Sequence, residues 1–512
     1  MNKIIRLFNT IKYLKSKQIY FRLYYFIRNR YRKKMGFKYP TFENIKSSNL
    51  IFEKSIPNYK SYFANNKFKF LNIEKEFDTI DWNYKNYGKL WTYNITYFDF
   101  LNQEDISKDE AINLIYNFIE NENILKDAIE SFPISLRGIN WIKFLSKEKI
   151  KDENIDTIIY KHYMILLDNL EYHLLGNHLL ENGYSLLFAA YYFQDEKLYS
   201  KAKEILKLEL KEQILDDGAH FELTPMYHQI MFFRLLECIN LVKNNTFKNQ
   251  ELLVFLEDIA SKMLSWLKNI TFKNGEIPLL NDSAFSIAPT SDTLFDYARR
   301  LNIKDINLAL SQSGYRKIEK ESYECIIDIG NIGPDYIPGH AHSDTFNFVV
   351  NYENKPFIVD TGLSTYETNQ RRTSERNTSA HNTVEINGKD QSEVWGGFRV
   401  ADRAKIIKIE EEIDIIKASH DGYKKDGITH TRIWNFKEKK LIIKDELSKK
   451  ANAIARLHFH PNITKENIIE KIICDKEIVF YTYDYAPRFN TLQKAIMIEI
   501  SFEKNLELEI QL

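Results

Sequence analysis

From about residue 105 the apolar residues fall at helical spacing, with Ala111, Leu114, Ile115, Phe118 and Ile119 on one stripe. The same period recurs over 156–175, 184–193, 197–213, 228–243 and 251–269, separated by short polar turns such as Gln194-Asp195 and Asp216-Asp217-Gly218. Short turns between amphipathic helices favour antiparallel neighbours. The pattern predicts an all-α body of about ten or more helices arranged as a ring of hairpins, with no strict repeat to make it a solenoid. Near Ser313-Gly314-Tyr315 the period changes to two, over stretches such as 323–329, 345–351, 428–436, 441–447, 453–459 and 496–500. Turn signals at Asn387-Gly388 and Asp421-Gly422 lie between them. Many short alternating strands predict an antiparallel β-sandwich. The fold class is therefore α+β and multidomain, with a basic, aromatic segment over 1–100, a helical domain over 101–312 and a sandwich over 313–512.

The densest chemistry lies between Gly339 and Arg403, at the start of the β half. It holds His340 and His342 two residues apart, then Asp344, Asp360 after the apolar run Phe357-Ile358-Val359, and His381 before another alternating run. In an extended chain, residues i and i+2 share a face, so both histidines can enter one cavity. Imidazoles and a carboxylate on neighbouring strands suit a zinc site with an open position. Surface or hydrogen-bonded loop histidines are the alternative.

The helical half adds three constellations. Asn177, His178 and Glu181 precede the apolar helix over 184–193 and would share one face if their segment is helical; they suit gripping a carboxylate and moving a proton, or simply capping the helix. Glu222, Tyr227 and His228 flank Pro225 in DGAHFELTPMYH, which places the tyrosine at a helix N-terminus. Arg137, Asn140 and Trp141 offer a guanidinium, an amide and an indole, with the arginine suited to a sugar carboxylate or equally to packing between helices, and Asn281-Asp282-Ser283 follows Pro278.

Charge changes the picture at one end only. Lys+Arg and Asp+Glu both number 71, but residues 1–40 carry 12 Lys/Arg and no acid, leaving 59 basic against 71 acidic residues elsewhere. The body lacks the basic field of a nucleic-acid binder. The basic end suits contact with a membrane surface or polyanion, or a solvated amphipathic helix. Cys238, Cys325 and Cys474 are scattered, without a C-x-x-C, so neither a disulfide framework nor a thiolate metal site is expected. No cleavable signal pattern is evident, which points to a cytoplasmic protein, with a periplasmic or membrane-associated one as the alternative. Nothing in the sequence sets the oligomeric state.

Read together, SLRGINWIKF, GNHLLENGYSLLFAAYYF, DGAHFELTPMYHQI, GEIPLLNDSA, GHAHSDTFNF, FIVDTG and SAHNTVEINGKDQSEVWGGFRV resemble the heparinase II/III family of polysaccharide lyases, from about Ser135 to Arg403. The resemblance implies an incomplete α/α toroid followed by an antiparallel β-sandwich, and β-elimination on a uronate-containing polysaccharide. It puts Asn177 and His178, with Glu181 beside them, where the uronate carboxylate is neutralised. It puts Tyr227 at the catalytic tyrosine, with His228 assisting, His340 at an active-site histidine, and His342, Asp360 and His381 at a zinc site, more structural than catalytic. Arg137, Asn140, Trp141, Glu222, Tyr366, Trp395 and Arg399 complete the expected substrate contacts. The body lacks the basic surplus suited to heavily sulfated heparin. The rival readings are a zinc-dependent glycan hydrolase and a non-catalytic glycan-binding or assembly protein.

Overall fold

The computed structural model describes residues 3–248 and 250–512. Two helices open the chain, α1 (Lys3–Ile11) and α2 (Ser16–Lys34), followed by a small antiparallel sheet of Tyr62–Phe63, Lys67–Phe70 and Ile73–Glu76. The helical body then runs through α3 (Lys89–Tyr97), α4 (Lys108–Glu120), α5 (Ser131–Lys147), α6 (Glu153–Asp168), α7 (Gly176–Phe193), α8 (Glu196–Gln213), α9 (Pro225–Asn244), α10 (Glu251–Ile270) and α11 (Ser291–Arg300). These helices form a toroid, and the strands from Tyr315 onward form the sandwich.

The helices start where the sequence supplies caps. Asp152 and Asp195 accept from the first free backbone N–H groups of α6 and α8, each contributing about 1 kcal/mol. Helix α7 is buried on nearly every side because it lies between α5, α8 and α9. Its Gly183 allows the close approach to α8, since a Cβ there would stand 2.8 Å from Ile205 Cγ2. The tryptophans of the aromatic stretch between residues 41 and 100 are packing residues. Trp82 stacks on Phe98 with ring centroids 5.1 Å apart, and Trp91 is fully buried against Phe70, Phe77 and Tyr84.

In the sandwich, one sheet runs in the order Ile406–Glu412, Ile415–His420, His430–Lys437, Lys440–Leu447, Asn505–Gln511 and Ile472–Cys474. It packs on two four-stranded sheets, one of 315–358 and one joining Ile478–Arg488, Thr491–Phe502, Ala453–His458 and Val384–Ile386, which meet at a bridge between Ile358 and Phe459. Trp434, Phe436, Leu441 and Ile443 meet Cys325, Ile327, Phe348 and Ile498 between the layers. Tyr315, Ile326, Val349 and Leu363 belong to the toroid's core, so the two domains share one apolar seam. The strand expected over Thr345–Asn351 is displaced to Phe348–Tyr352. The residues before it turn instead, with Phe346 at φ 69° and Asn347 N–H on Asp344 O. That irregular stretch carries His340 and His342 to the toroid.

Candidate active site

Three loops at the seam build the site, each turning through a left-handed non-glycine residue: Leu175 (φ 62°), Leu223 (φ 56°) and Asn281 (φ 53°). Such residues cost about 1–3 kcal/mol each and persist where surrounding contacts over-determine them. After Leu175, Gly176 also has a positive φ, 59°, and its missing side chain leaves room for Ile337 and Glu222. Asn177 and His178 are thereby the second and third residues of α7. After Leu223, Pro225 opens α9 with its φ already preset, and Tyr227 falls in the first turn. Two helix N-termini, each with partial positive charge, thus face the same seam.

At the centre is Asp282, fully buried. Its Oδ2 lies 2.8 Å from His340 Nδ1 and its Oδ1 2.8 Å from His342 Nε2. The Arg372 guanidinium, on α12 (Gln370–Arg376), donates to both oxygens, through Nη2 at 2.6 Å and also through Nη1. Burial disfavours the carboxylate's charge, yet Arg372 first and then the two imidazoles hold Asp282 well below the usual carboxylate range. An ionised Asp282 fixes the proton of His340 on Nδ1 and leaves Nε2 to face the cleft. There Nε2 stands 3.6 Å from Glu222 Oε2, which accepts from Asn177 Nδ2 at 3.4 Å. Burial, countered in part by His340 and His178, raises the Glu222 carboxyl.

The Tyr227 ring lies on His340, with centroids 4.0 Å apart, and its hydroxyl is 3.2 Å from that of Tyr366. Burial first, and Glu222 and Asp282 after it, push the phenol above its ordinary value against Tyr366 and Arg372. Phe398 closes the group, near His340, Tyr366 and the Arg372 guanidinium. His178 Nδ1 is 3.0 Å from Glu171 Oε1. Burial opposes its charge, but the Glu171 carboxylate outweighs that and raises the imidazole above its ordinary value.

Other expected residues lie elsewhere. One residue past Tyr227 on the helix is about 100° of rotation, which turns His228 into the toroid. There it accepts from His220 N–H, bonds Met263 O at 3.0 Å and packs on Trp266. Burial lowers its pKa to about 3, so it is no positive neighbour for Tyr227. Arg137 is buried with its guanidinium on Thr96 O and Ala128 O, Asn140 is held by Tyr97 O and Asp99, and Trp141 packs between Phe98 and Phe118. None of these three reaches the cleft group, and the polar atoms of Arg137 and Asn140 serve backbone carbonyls that the helix packing would otherwise strand. Glu181 is turned to Arg234 at 3.1 Å, in a buried ion pair not aligned as a hydrogen bond. Trp395 and Arg399 sit on the outer rim, where Trp395 Nε1 donates to Thr10 and the Arg399 guanidinium lies over the indole.

His342, Asp360 and His381 are brought together and fully buried. The two rings are 5.3 Å apart, and His342 Nδ1 and His381 Nε2 have no hydrogen-bond partner. Asp360, however, is engaged by His381 Nδ1 at 2.7 Å and by Asn347 at 2.6 Å. Among the described residues no three His, Cys, Asp or Glu side chains stand as a ready metal cage. The two free nitrogens fit a zinc ion, with Asp360 fitting best as the carboxylate that orients His381.

The heparinase II/III N-terminus family matches residues 131–298, and the heparinase II/III-like C-terminal family matches residues 307–494. The chain belongs to the heparinase II/III-like family. A heparin-sulfate lyase of Bacteroides stercoris is 22% identical over 374 residues, covering 67% of this chain and 53% of the relative. The chain thus spans about half the length of that curated relative. Among solved structures, a heparinase III matches with TM-score 0.66 at 15% identity, covering 95% of this chain and 89% of the other. A heparan sulfate lyase from Pedobacter heparinus matches with TM-score 0.54 at 14% identity, covering 87% and 81%. At these identities the likeness establishes the toroid-plus-sandwich fold.

The sequence reading missed Arg372, the central role of Asp282, Phe398 and Glu171. Arg372 sits in a polar run, TNQRRTSER, whose pattern reads as an exposed turn. The one available signal was Asp282 itself, a carboxylate next to Asn281 in an otherwise apolar segment.

Proposed function

We propose that the protein is a polysaccharide lyase that cleaves a uronate-containing glycan by β-elimination. The observation that carries this reading is His340, its Nδ1 held by buried Asp282 and its ring packed at a tilt against Tyr227. Asn177 and His178, at a helix N-terminus, bind the uronate carboxylate and stabilise the enediolate charge that builds on it. His340 Nε2 removes the C5 proton, the C4–O4 bond breaks, the C4–C5 double bond forms, and the Tyr227 hydroxyl delivers a proton to O4. The two arginines deepest in the site are already spent, Arg372 on Asp282 and Arg376 on Ala341 O and Gly397 O. That favours recognition of a carboxylate over dense sulfation. Incubation with a panel of uronate glycans, followed by ultraviolet absorbance of the unsaturated product, tests the reaction. Chain cleavage without that absorbance overturns it in favour of hydrolysis.

Asn177→Ala is expected to lower kcat by about 10- to 100-fold, with a smaller change in KM, because the amide acts on charge that develops only in the transition state. Steady-state kinetics decide this, and an effect confined to KM would reduce Asn177 to ground-state binding.

Zinc at His342 Nδ1 and His381 Nε2 would supply a charged tie between the loop that carries His340 and His342 and the segment that carries His381. Its full burial behind Asp282 supports a structural part over water activation. Metal analysis should find about one zinc per chain. His342→Ala or His381→Ala should lose it together with several degrees of melting temperature. A metal-free protein that melts normally and regains turnover on adding zinc contradicts the structural assignment.

A further inference from the structure

We infer that α1 and α2 form a docking surface for an anionic lipid bilayer. Helix α2 is amphipathic the wrong way round for a helix resting on a protein. Its polar face points inward: Arg28 Nη1 donates to Asp168 O at 2.6 Å, Arg32 pairs with Asp168, and Gln18 Nε2 donates to Leu174 O at 2.9 Å. Tyr25 Oη on Leu170 O and the stacking of Phe21 on Tyr172 complete the attachment. Its apolar face points to solvent. Ile19, Tyr20, Leu23, Phe26, Ile27 and Tyr31 are all exposed, with Leu23 at 59% and Ile27 at 58%. Helix α1 adds exposed Ile5, Leu7, Phe8 and Ile11. So many exposed apolar side chains on one helix face mark an interaction site.

Charge selects the occupant. The segment 1–40 has 12 Lys/Arg and no acidic residue, and Arg30 and Lys34 rise through the apolar face, with the Arg30 guanidinium over Phe26. Apolar and aromatic side chains interleaved with cations match the boundary between acyl chains and anionic headgroups. A two-fold interface between copies would set these cations against each other with no acid from the same patch to pair them. Among the described residues no helix is long and apolar enough to cross a membrane. The surface is also keyed to the site's rim, through Arg6 on Glu393 at 2.6 Å, Trp395 Nε1 on Thr10 and the Arg403 guanidinium 3.8 Å from the Tyr13 ring centroid. Docking would hold the cleft rim close to the lipid surface. This inference does not depend on the lyase reading.

Co-sedimentation of the full chain with phosphatidylcholine vesicles, with and without phosphatidylglycerol, tests it. The protein should sediment with the anionic vesicles only. Leu23→Glu/Ile27→Glu, at exposed positions, should melt like the parent and bind about 100-fold more weakly, about tenfold for each lost side chain. Arg30→Glu/Lys34→Glu should weaken binding and flatten its dependence on salt. If the parent stays in the supernatant with anionic vesicles, the inference fails. If it is instead a dimer that Leu23→Glu/Ile27→Glu splits, the face belongs to a second copy and the inference fails as well.

Discussion

Asp282→Asn should lower turnover by about 10³- to 10⁴-fold, and it should destabilise the fold as well. Two carboxylate oxygens receive N–H groups from His340, His342 and, twice, Arg372. An amide keeps the shape but replaces one oxygen with a donor, so one N–H is set against another. It also leaves the fully buried Arg372 without its counter-ion, and breaking a buried pair in this way costs about 3–5 kcal/mol. With no carboxylate on Nδ1, His340 no longer holds its proton there, and Nε2 is lost as a base. Losing the orienting carboxylate of a catalytic histidine costs about 10⁴-fold in the serine protease case. Thermal melting and single-turnover measurements on the folded fraction would check both parts. Normal melting with normal turnover would show that Asp282 is not the hub. Because the Asp282 carboxyl is held below its unfolded value, its contribution is present above about pH 4. It is lost only as pH falls further, through the depressed folded-state value, so the seam should survive mild acid.

Tyr227→Phe should lower turnover by about 10²-fold or more while the protein folds normally. Phenylalanine keeps the ring that lies on His340, so the imidazole stays oriented, and only the contact with the Tyr366 hydroxyl goes. That contact is worth about 1 kcal/mol. Burial and the nearby Glu222 and Asp282 keep the phenol protonated near neutral pH, which suits an acid and not a base. The expectation that His228 would assist fails on the same physics, since a buried imidazole on a backbone carbonyl carries no charge. If Tyr227 protonates O4, its removal should matter less for substrates with more acidic leaving groups. An undiminished rate on the native glycan would move the acid elsewhere, and a loss equal for all leaving groups would return Tyr227 to the role of base.

Periodicity alone determined the order of helices then strands, because burying one face of an element imposes its repeat on the sequence. Pro225 in front of Tyr227 was likewise readable, since turn chemistry is local. The two-residue spacing of His340 and His342 did bring both to one partner, although through an irregular turn and not a strand. Which polar residue serves the cleft and which serves the core was decided only in three dimensions. Arg137, Asn140 and His228 look as chemical in the sequence as His178 does, but their partners are backbone carbonyls and side chains brought up by distant elements. Arg372 looks like a surface arginine until folding puts Asp282, 90 positions away, against its guanidinium. The outward turn of α2 is the same kind of decision. Its sequence specifies one apolar and one polar face, and the carboxylate of Asp168 with the free carbonyls at the end of α6 determine which face is turned inward.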